Sequence, residues 1–302
     1  MIDWSKVMQP PEFLEATRMT LLNDDFIPFA VQYCGIEKGM KILEVGCGTG
    51  YFSRYLSKGT SGVSYTGLDR DTGFIAAAKP VHGDNTSSYL VGSAYELPFE
   101  DDSFDGVISH TFFNCADRPK EAIREMLRVC RPGGRVSTVA SMSLTFETWH
   151  RGFYPPECTW VEKIRDFQGR MQKVLSELGC GTMDYNRGFS ASKLPRFFYV
   201  SGLTDIRICP LPRTFSLSNA AMPAETKVAY VENLYLGEKK KIENIMELTA
   251  FTSHIPEEEC RDYIEQLKAR RDFWMEHLDD NSIWDWFGAS ALVVSGRKEQ
   301  QV

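Results

Sequence analysis

Apolar positions along this chain follow two rhythms. Between about residues 40 and 140, short unbroken apolar blocks alternate with stretches of helical period. Lys41-Ile42-Leu43-Glu44-Val45, Ser64-Tyr65-Thr66-Gly67-Leu68-Asp69, Tyr89-Leu90-Val91, Gly106-Val107-Ile108-Ser109 and Arg135 to Ala140 read as strands. A helix is predicted from Phe74 to Ala78, and another where Ala122, Ile123, Met126, Leu127 and Cys130 recur at helical spacing. Blocks that are apolar throughout, joined through helices by short connections, predict a parallel sheet covered on both faces.

Outside that region helical patterns dominate. Pro10-Pro11 opens a predicted helix over 12–22, with Phe13, Leu14, Thr17 and Leu21 on one face. After Ala140 an aromatic, proline-bearing connection (Trp149, Phe153, Tyr154, Pro155, Pro156) leads to a predicted helix from Trp160 to Leu178. A helix over 193–201 and a strand at Thr204 to Ile208 follow, and Ala289 to Gly296 reads as the last strand. The intervening 80 or so residues are far more than a hairpin needs. Helical signals fill them: Pro223 to Leu236, Lys240 to Thr252, and a helix opened at Pro256 carrying Ile264, Leu267, Trp274 and Leu278. Such an insertion can roof a site, form a dimer interface or enlarge the core. Trp284, Trp286 and Phe287 are expected to anchor it to the sheet.

The first strand ends in Glu44 and breaks into Gly46-Cys47-Gly48-Thr49-Gly50 directly before an amphipathic helix. Glycines there let the backbone turn tightly and approach a ligand, and the helix start points N–H groups at it. That arrangement suits an adenosine-containing cofactor with an anionic end. The nicotinamide-type fingerprint wants a small residue at the sixth position counted from Gly46, where this chain has Tyr51. About 20 residues after the glycine turn, Asp69 ends the second strand, the separation at which a carboxylate reaches ribose hydroxyls. Asp71 fits the N-cap of the next helix better than Asp69 does.

These motifs, with Gly92-Ser93-Ala94, Leu97-Pro98-Phe99, Asp102-Ser103-Phe104-Asp105 and Arg131-Pro132-Gly133-Gly134, resemble the class I S-adenosylmethionine (SAM) dependent methyltransferases, type 11 group. The resemblance covers about residues 38 to 140. It implies a Rossmann-like, doubly wound, mostly parallel α/β sheet with a helical insertion before the last strand. The implied organisation is a helical cap over 1–37, a SAM-binding domain over 38–210, the insertion over 211–287, and the last strand and tail over 288–302.

By the same resemblance Glu44 faces the cofactor's ammonium group, while Gly46, Cys47, Gly48 and Gly50 wrap its methionine part. Asp69, with Arg70 beside it, holds the ribose; Ser93 and the Ala94 backbone contact adenine; Ser109 completes the set. The family usually carries an acid where Ser93 stands, so the adenine contact here lacks a charge. Arg131-Pro132-Gly133-Gly134 reads as a helix stop and turn with no chemistry.

Composition narrows the partners. With 34 basic and 41 acidic residues the net charge is -7, which opposes polyanion binding, and Lys239-Lys240-Lys241 between Glu238 and Glu243 reads as a solvated helix face. The fourth-strand segment lacks the Asn/Asp-Pro-Pro-aromatic tetrad and the Pro-Cys dipeptide of base methyltransferases. Eight scattered cysteines and five isolated histidines show no metal-ligand spacing, so no metal is expected. No signal peptide or membrane-spanning run is read, and the chain is expected in the cytoplasm, as a monomer or homodimer.

Methyl transfer is an in-line displacement, so positioning the nucleophile and excluding water are the main tasks. A base is optional. His110, in Ser109-His110-Thr111-Phe112-Phe113-Asn114, is the leading candidate base, with a cofactor contact or packed loop residue as its alternatives; His150 is a weaker second. The expected activity is SAM-dependent methylation of an O, N or C nucleophile on a small molecule. A non-catalytic SAM-binding regulator and, less readily, an NAD-type enzyme are the alternatives.

Overall fold

The computed structural model describes residues 4–141, 148–150, 154–178, 193–278 and 286–299. In chain order its main elements are α1 (Pro11–Leu21), α2 (Ile27–Cys34), β1 (Lys41–Val45), α3 (Tyr51–Ser57), β2 (Ser64–Asp69), α4 (Thr72–Ala76), β3 (Thr86–Val91), β4 (Phe104–His110), α5 (Pro119–Val129) and β5 (Cys130–Ser141). Then come β6 (Thr148–His150), α6 (Trp160–Glu177), α7 (Leu194–Val200), β7 (Thr204–Ser216), α8 (Ala224–Met246), α9 (Thr249–Thr252), α10 (Glu257–Glu276) and β8 (Trp286–Arg297). They fall into two compact units. An α/β unit comprises residues 21–147, 184–213 and 289–302, and a helical unit comprises 1–20, 148–183 and 214–288.

In the α/β unit the strand order is β3-β2-β1-β4-β5-β8, with β7 paired to β8. β1 to β5 run parallel and β8 pairs antiparallel to β5. This is the parallel sheet that the apolar blocks predict, in the doubly wound, mostly parallel form that the resemblance implies. Neighbouring residues of β1 serve opposite faces, as the strand period requires. Leu43 and Val45 join Val107, Ile123, Met126 and Phe198 in one buried cluster, while Ile42 joins Ile108, Phe52, Leu56, Ala30 and Cys34 in the other. β2 and the Asp71 cap agree with the sequence reading, for Asp71 accepts from the N–H groups of Gly73 and Phe74.

Other boundaries differ for local reasons. Arg131 to Gly134 lie inside β5 rather than in a turn before it. The pairing with β4 jumps from Phe104↔Cys130 to Gly106↔Arg135, so the extra residues form a bulge, and Lys298 exchanges backbone hydrogen bonds with Gly133 and Gly134 across it. β8 starts at Trp286 because its first residues pair with β6. Trp284 lies outside the described residues.

The helical unit has its own core. Trp160, Ile164, Phe167, Met171 and Leu175 of α6 pack with Ile242 and Ile245 of α8, Phe251 of α9, and Tyr263 and Leu267 of α10. The periodicity of 160–178 identified α6 as a helix but carried no signal of which core it joins. The helices read separately as 223–236 and 240–252 are one continuous α8 followed by the short α9. Gly237, inside that continuous helix, lets the backbone of Phe13 in α1 approach α8 closely.

Candidate cofactor and active site

The glycine turn leaves the C-terminal end of β1 with Gly46, Gly48 and Gly50 all in left-handed conformations, at φ 69°, 54° and 71°. A side chain is excluded at two of them by contact as well as by torsion. A Cβ on Gly46 would stand 2.6 Å from Cδ2 of Phe112, and one on Gly50 would strike the Tyr89 hydroxyl. The turn is tied to its neighbour strand by the N–H groups of Gly46 and Cys47, which donate to the Leu68 carbonyl at 2.8 and 3.1 Å. From within, Arg54 donates to the Thr49 carbonyl at 2.6 Å while its guanidinium lies over the Tyr51 ring.

Two carboxylates flank this turn. Asp69, ending β2, accepts the Gly48 N–H at 2.9 Å through Oδ2 and the Asp71 N–H at 3.0 Å through Oδ1. Burial raises its pKa against the pull of those two bonds. Glu44 is 1% exposed and accepts from both the backbone N–H and the hydroxyl of Ser53 in α3. Burial pushes its carboxyl up to about 7, opposed by Ser53 and by the charge of Arg54. Burial likewise raises the Cys47 thiol, so that side chain is a neutral packing group at ordinary pH.

The structure gathers most of the expected residues around the C-terminal ends of β1, β2 and β4, with differing exposure. Arg70 and Ser93 are exposed and Ala94 is half-buried. Ser93 Oγ accepts the Tyr95 N–H at 3.2 Å. Ser109 is fully buried and its hydroxyl donates to Thr138 at 2.8 Å across the β4–β5 pair. His110, 5% exposed, stacks on Phe52 with ring centroids 5.1 Å apart. His150 lies in β6, in the helical unit.

The sequence reading missed Phe112, Tyr89, Arg54 and Thr111. Thr111 holds φ 55° immediately after β4, and a β-branched residue with positive φ marks a strained position. No pattern signals it, because φ is imposed by the turn that carries Phe112 onto Gly46. Tyr89 could have been found through register, since it sits opposite Gly67.

A crevice beyond the carboxyl ends of the strands, where the order reverses from β1 to β4, is where open α/β sheets bind nucleotides. Residues 43–138 match the family model described as "Methyltransferase domain". That stretch of the α/β unit is therefore similar to a methyltransferase domain, on a sheet with the Rossmann-like order of class I methyltransferases.

Relatives match over a stretch of the same length. An uncharacterised methyltransferase of Mycobacterium avium is 41% identical over 96 residues, which is 32% of this chain and 37% of that protein. The phthiotriol/phenolphthiotriol dimycocerosates methyltransferase of Mycobacterium tuberculosis is 38% identical over 96 residues, 32% of this chain and 36% of that protein. Phosphoethanolamine N-methyltransferase 2 of Haemonchus contortus, solved in complex with SAM, shares the fold with a TM-score of 0.50 at 16% identity, over 99% of this chain and 60% of that one. The chain spans just over a third of the length of the curated relatives it matches.

Among the described residues, no group of three or more His, Cys, Asp or Glu side chains is placed to hold a metal ion, and no helix is long and apolar enough to cross a membrane.

Proposed function

We propose that this protein is a SAM-dependent methyltransferase acting on a small-molecule acceptor. The observation that carries this reading is the pairing of Asp69 with Gly48: an acid at the end of β2 is locked onto a turn of left-handed glycines at the end of β1. That donor set fits SAM. Asp69 would hold the ribose hydroxyls, the bare backbone of 46–50 the amino-acid tail, Glu44 the ammonium group, and Ser93 with Ala94 the adenine edge. SAM supplies an electrophilic methyl on a sulfonium, and the residues of this chain then have to bind, orient and keep water out.

The chain's own groups divide that work. Phe112 covers Gly46, and Tyr89 covers Gly50 and Gly67, so the turn is walled by rings that exclude water on that side. Burial and the stack on Phe52 support a packing or cofactor-contact role for His110 over proton abstraction. An acceptor with a neutral amine or an already acidic nucleophile needs no base. Net charge -7 supports a small acceptor over a nucleic acid.

Calorimetric titration with SAM, followed by incubation with labelled SAM and the small-molecule fraction of a cell extract, tests this. Micromolar SAM binding with label in a low-mass product is the expected result. Binding without product across a broad acceptor panel would point to a SAM-binding regulator, and an NADH response without SAM binding would overturn the assignment.

A further inference from the structure

A hydrogen-bonded side-chain pair joins the loops that follow β3 and β4. The Tyr95 hydroxyl donates to the Asp117 carboxylate, 22 residues away in sequence. Both ends of the β3 loop are pinned separately. The Gly92 N–H donates to the Asp69 carbonyl at 2.9 Å, and Leu97 is held by Glu125 and Arg128 of α5, its N–H donating to the one and its carbonyl accepting from the other. Between those pins lies the tip, Ser93 to Glu96, where Ser93 and Ala94 occupy the expected adenine edge. Ala94 and Tyr95 both pack against the core of the α/β unit, and Tyr95 adds a hydrogen-bonded anchor for the tip.

The anchor itself is well placed. Arg118 lies with its guanidinium 4.0 Å from the centroid of the Tyr95 ring and pairs with Glu121 at 2.9 Å, so the ring is held on one face as the hydroxyl is held at its end. Asp117 follows the short helical turn Phe112–Asn114 whose first residue covers Gly46. The pair therefore ties the loop beside the adenine edge to the segment that walls the glycine turn. The Tyr95 bond holds the Asp117 carboxyl below its ordinary range, which keeps the acceptor ionised.

We propose that Tyr95 is a positioning residue: anchored by Asp117, it fixes the Ser93–Ala94 segment so that the site prefers a 6-aminopurine base over a 6-oxopurine. The inference rests on the methyltransferase reading and adds the origin of its base selectivity. A Ser93 hydroxyl can donate or accept and so does not by itself tell an amino group from an oxo group, whereas the Ala94 backbone N–H only donates and suits the unprotonated N1 of a 6-aminopurine but not the protonated N1 of a 6-oxopurine, so discrimination depends on how well the segment is held. A loosened tip could rotate to meet either base.

The test compares affinities of S-adenosylhomocysteine and S-inosylhomocysteine by calorimetry, for wild type and for Tyr95→Phe, Asp117→Ala and Asp117→Asn. Wild type should prefer the adenine compound. Tyr95→Phe keeps the ring under Arg118 and loses only the hydroxyl; it and Asp117→Ala should cut that preference about 3- to 10-fold, the worth of one hydrogen bond. Asp117→Asn retains an acceptor and should stay within about twofold of wild type. Variants that weaken both ligands equally, or leave the ratio unchanged, would reduce Tyr95 to a structural contact and overturn the proposal. A wild type that binds both ligands alike overturns it as well. If wild type binds neither, the methyltransferase reading itself fails, and the selectivity proposal fails with it.

Discussion

Asp69 and Gly48 are joined by a 2.9 Å hydrogen bond from a glycine N–H to a carboxylate 21 residues further along the chain. One acid therefore helps set the shape of the turn, and in the proposed function its remaining acceptor capacity serves the ribose hydroxyls. Asp69→Ala removes both functions, and SAM affinity should fall by about 1 to 3 kcal/mol. Asp69→Asn keeps an acceptor for Gly48 but loses the charge, so it should fall between wild type and alanine. Calorimetry on the three proteins decides; equal affinities would remove Asp69 from the site.

Glu44 makes stability depend on pH. Its folded pKa is about 7 against an ordinary value of 4.5, so the folded protein holds a proton that the unfolded chain has released. Stability should decline as pH rises from about 4.5 to 7 and stay reduced above that, by an amount on the order of 3 kcal/mol. Glu44→Gln should flatten the decline and melt higher than wild type at pH 8. An ammonium group binding beside Glu44 favours the ionised form, so SAM binding near pH 7 should release protons, read as a calorimetric enthalpy that varies with buffer ionisation enthalpy. A wild-type melting profile that matches Glu44→Gln at every pH would refute the shift.

His110 separates packing from proton transfer. His110→Ala removes the ring stacked on Phe52, and a buried ring lost from a tight core costs on the order of 2 to 4 kcal/mol of stability. With the acceptor from the labelling experiment in hand, kcat/KM and SAM affinity should fall together. A loss confined to kcat, with a pH profile altered on its acid side, would make His110 the base.

Much of the geometry of this candidate site was legible in the sequence, because its parts are set by local necessity. A tight strand-to-helix turn needs glycines, and an acid at the next strand end is spaced by one βαβ unit, so Glu44, Gly46, Gly48, Gly50 and Asp69 could be named without coordinates. What covers them could not. Phe112 reaches the turn from the short helical turn after β4 and Tyr89 from β3, and only register shows that Tyr89 lies opposite Gly67. The same limit explains α6 and α8: periodicity reveals a helix and its apolar face but not the partner of that face.

Gly46→Ala tests the wall over the turn. Two penalties apply: a side chain at φ 69°, and a Cβ 2.6 Å from the Phe112 ring. Phe112→Ala relieves the second and leaves the first. Gly46→Ala alone should lower stability by about 1 to 3 kcal/mol and weaken SAM binding. In the double variant part of the stability should return, giving a coupling of about 0.5 to 1.5 kcal/mol. Additive losses in chemical denaturation would show that Phe112 does not press on the turn.

Gly237 offers a sign test in the helical unit. Replacing a glycine inside a helix with alanine ordinarily stabilises it by about 1 kcal/mol. At Gly237 the added methyl would strike the backbone nitrogen and Cα of Phe13 in α1, atoms that cannot rotate away as a side-chain tip can. Steric cost should therefore outweigh propensity, and Gly237→Ala should lower the melting temperature while raising hydrogen exchange in α1. Truncating Phe13 would not rescue it, since the clash is with main chain. Gly169 of α6 supplies the control, because a Cβ there meets nothing within 4 Å and Gly169→Ala should stabilise. Stabilisation by both substitutions would mean that α1 does not rest against α8 at this point.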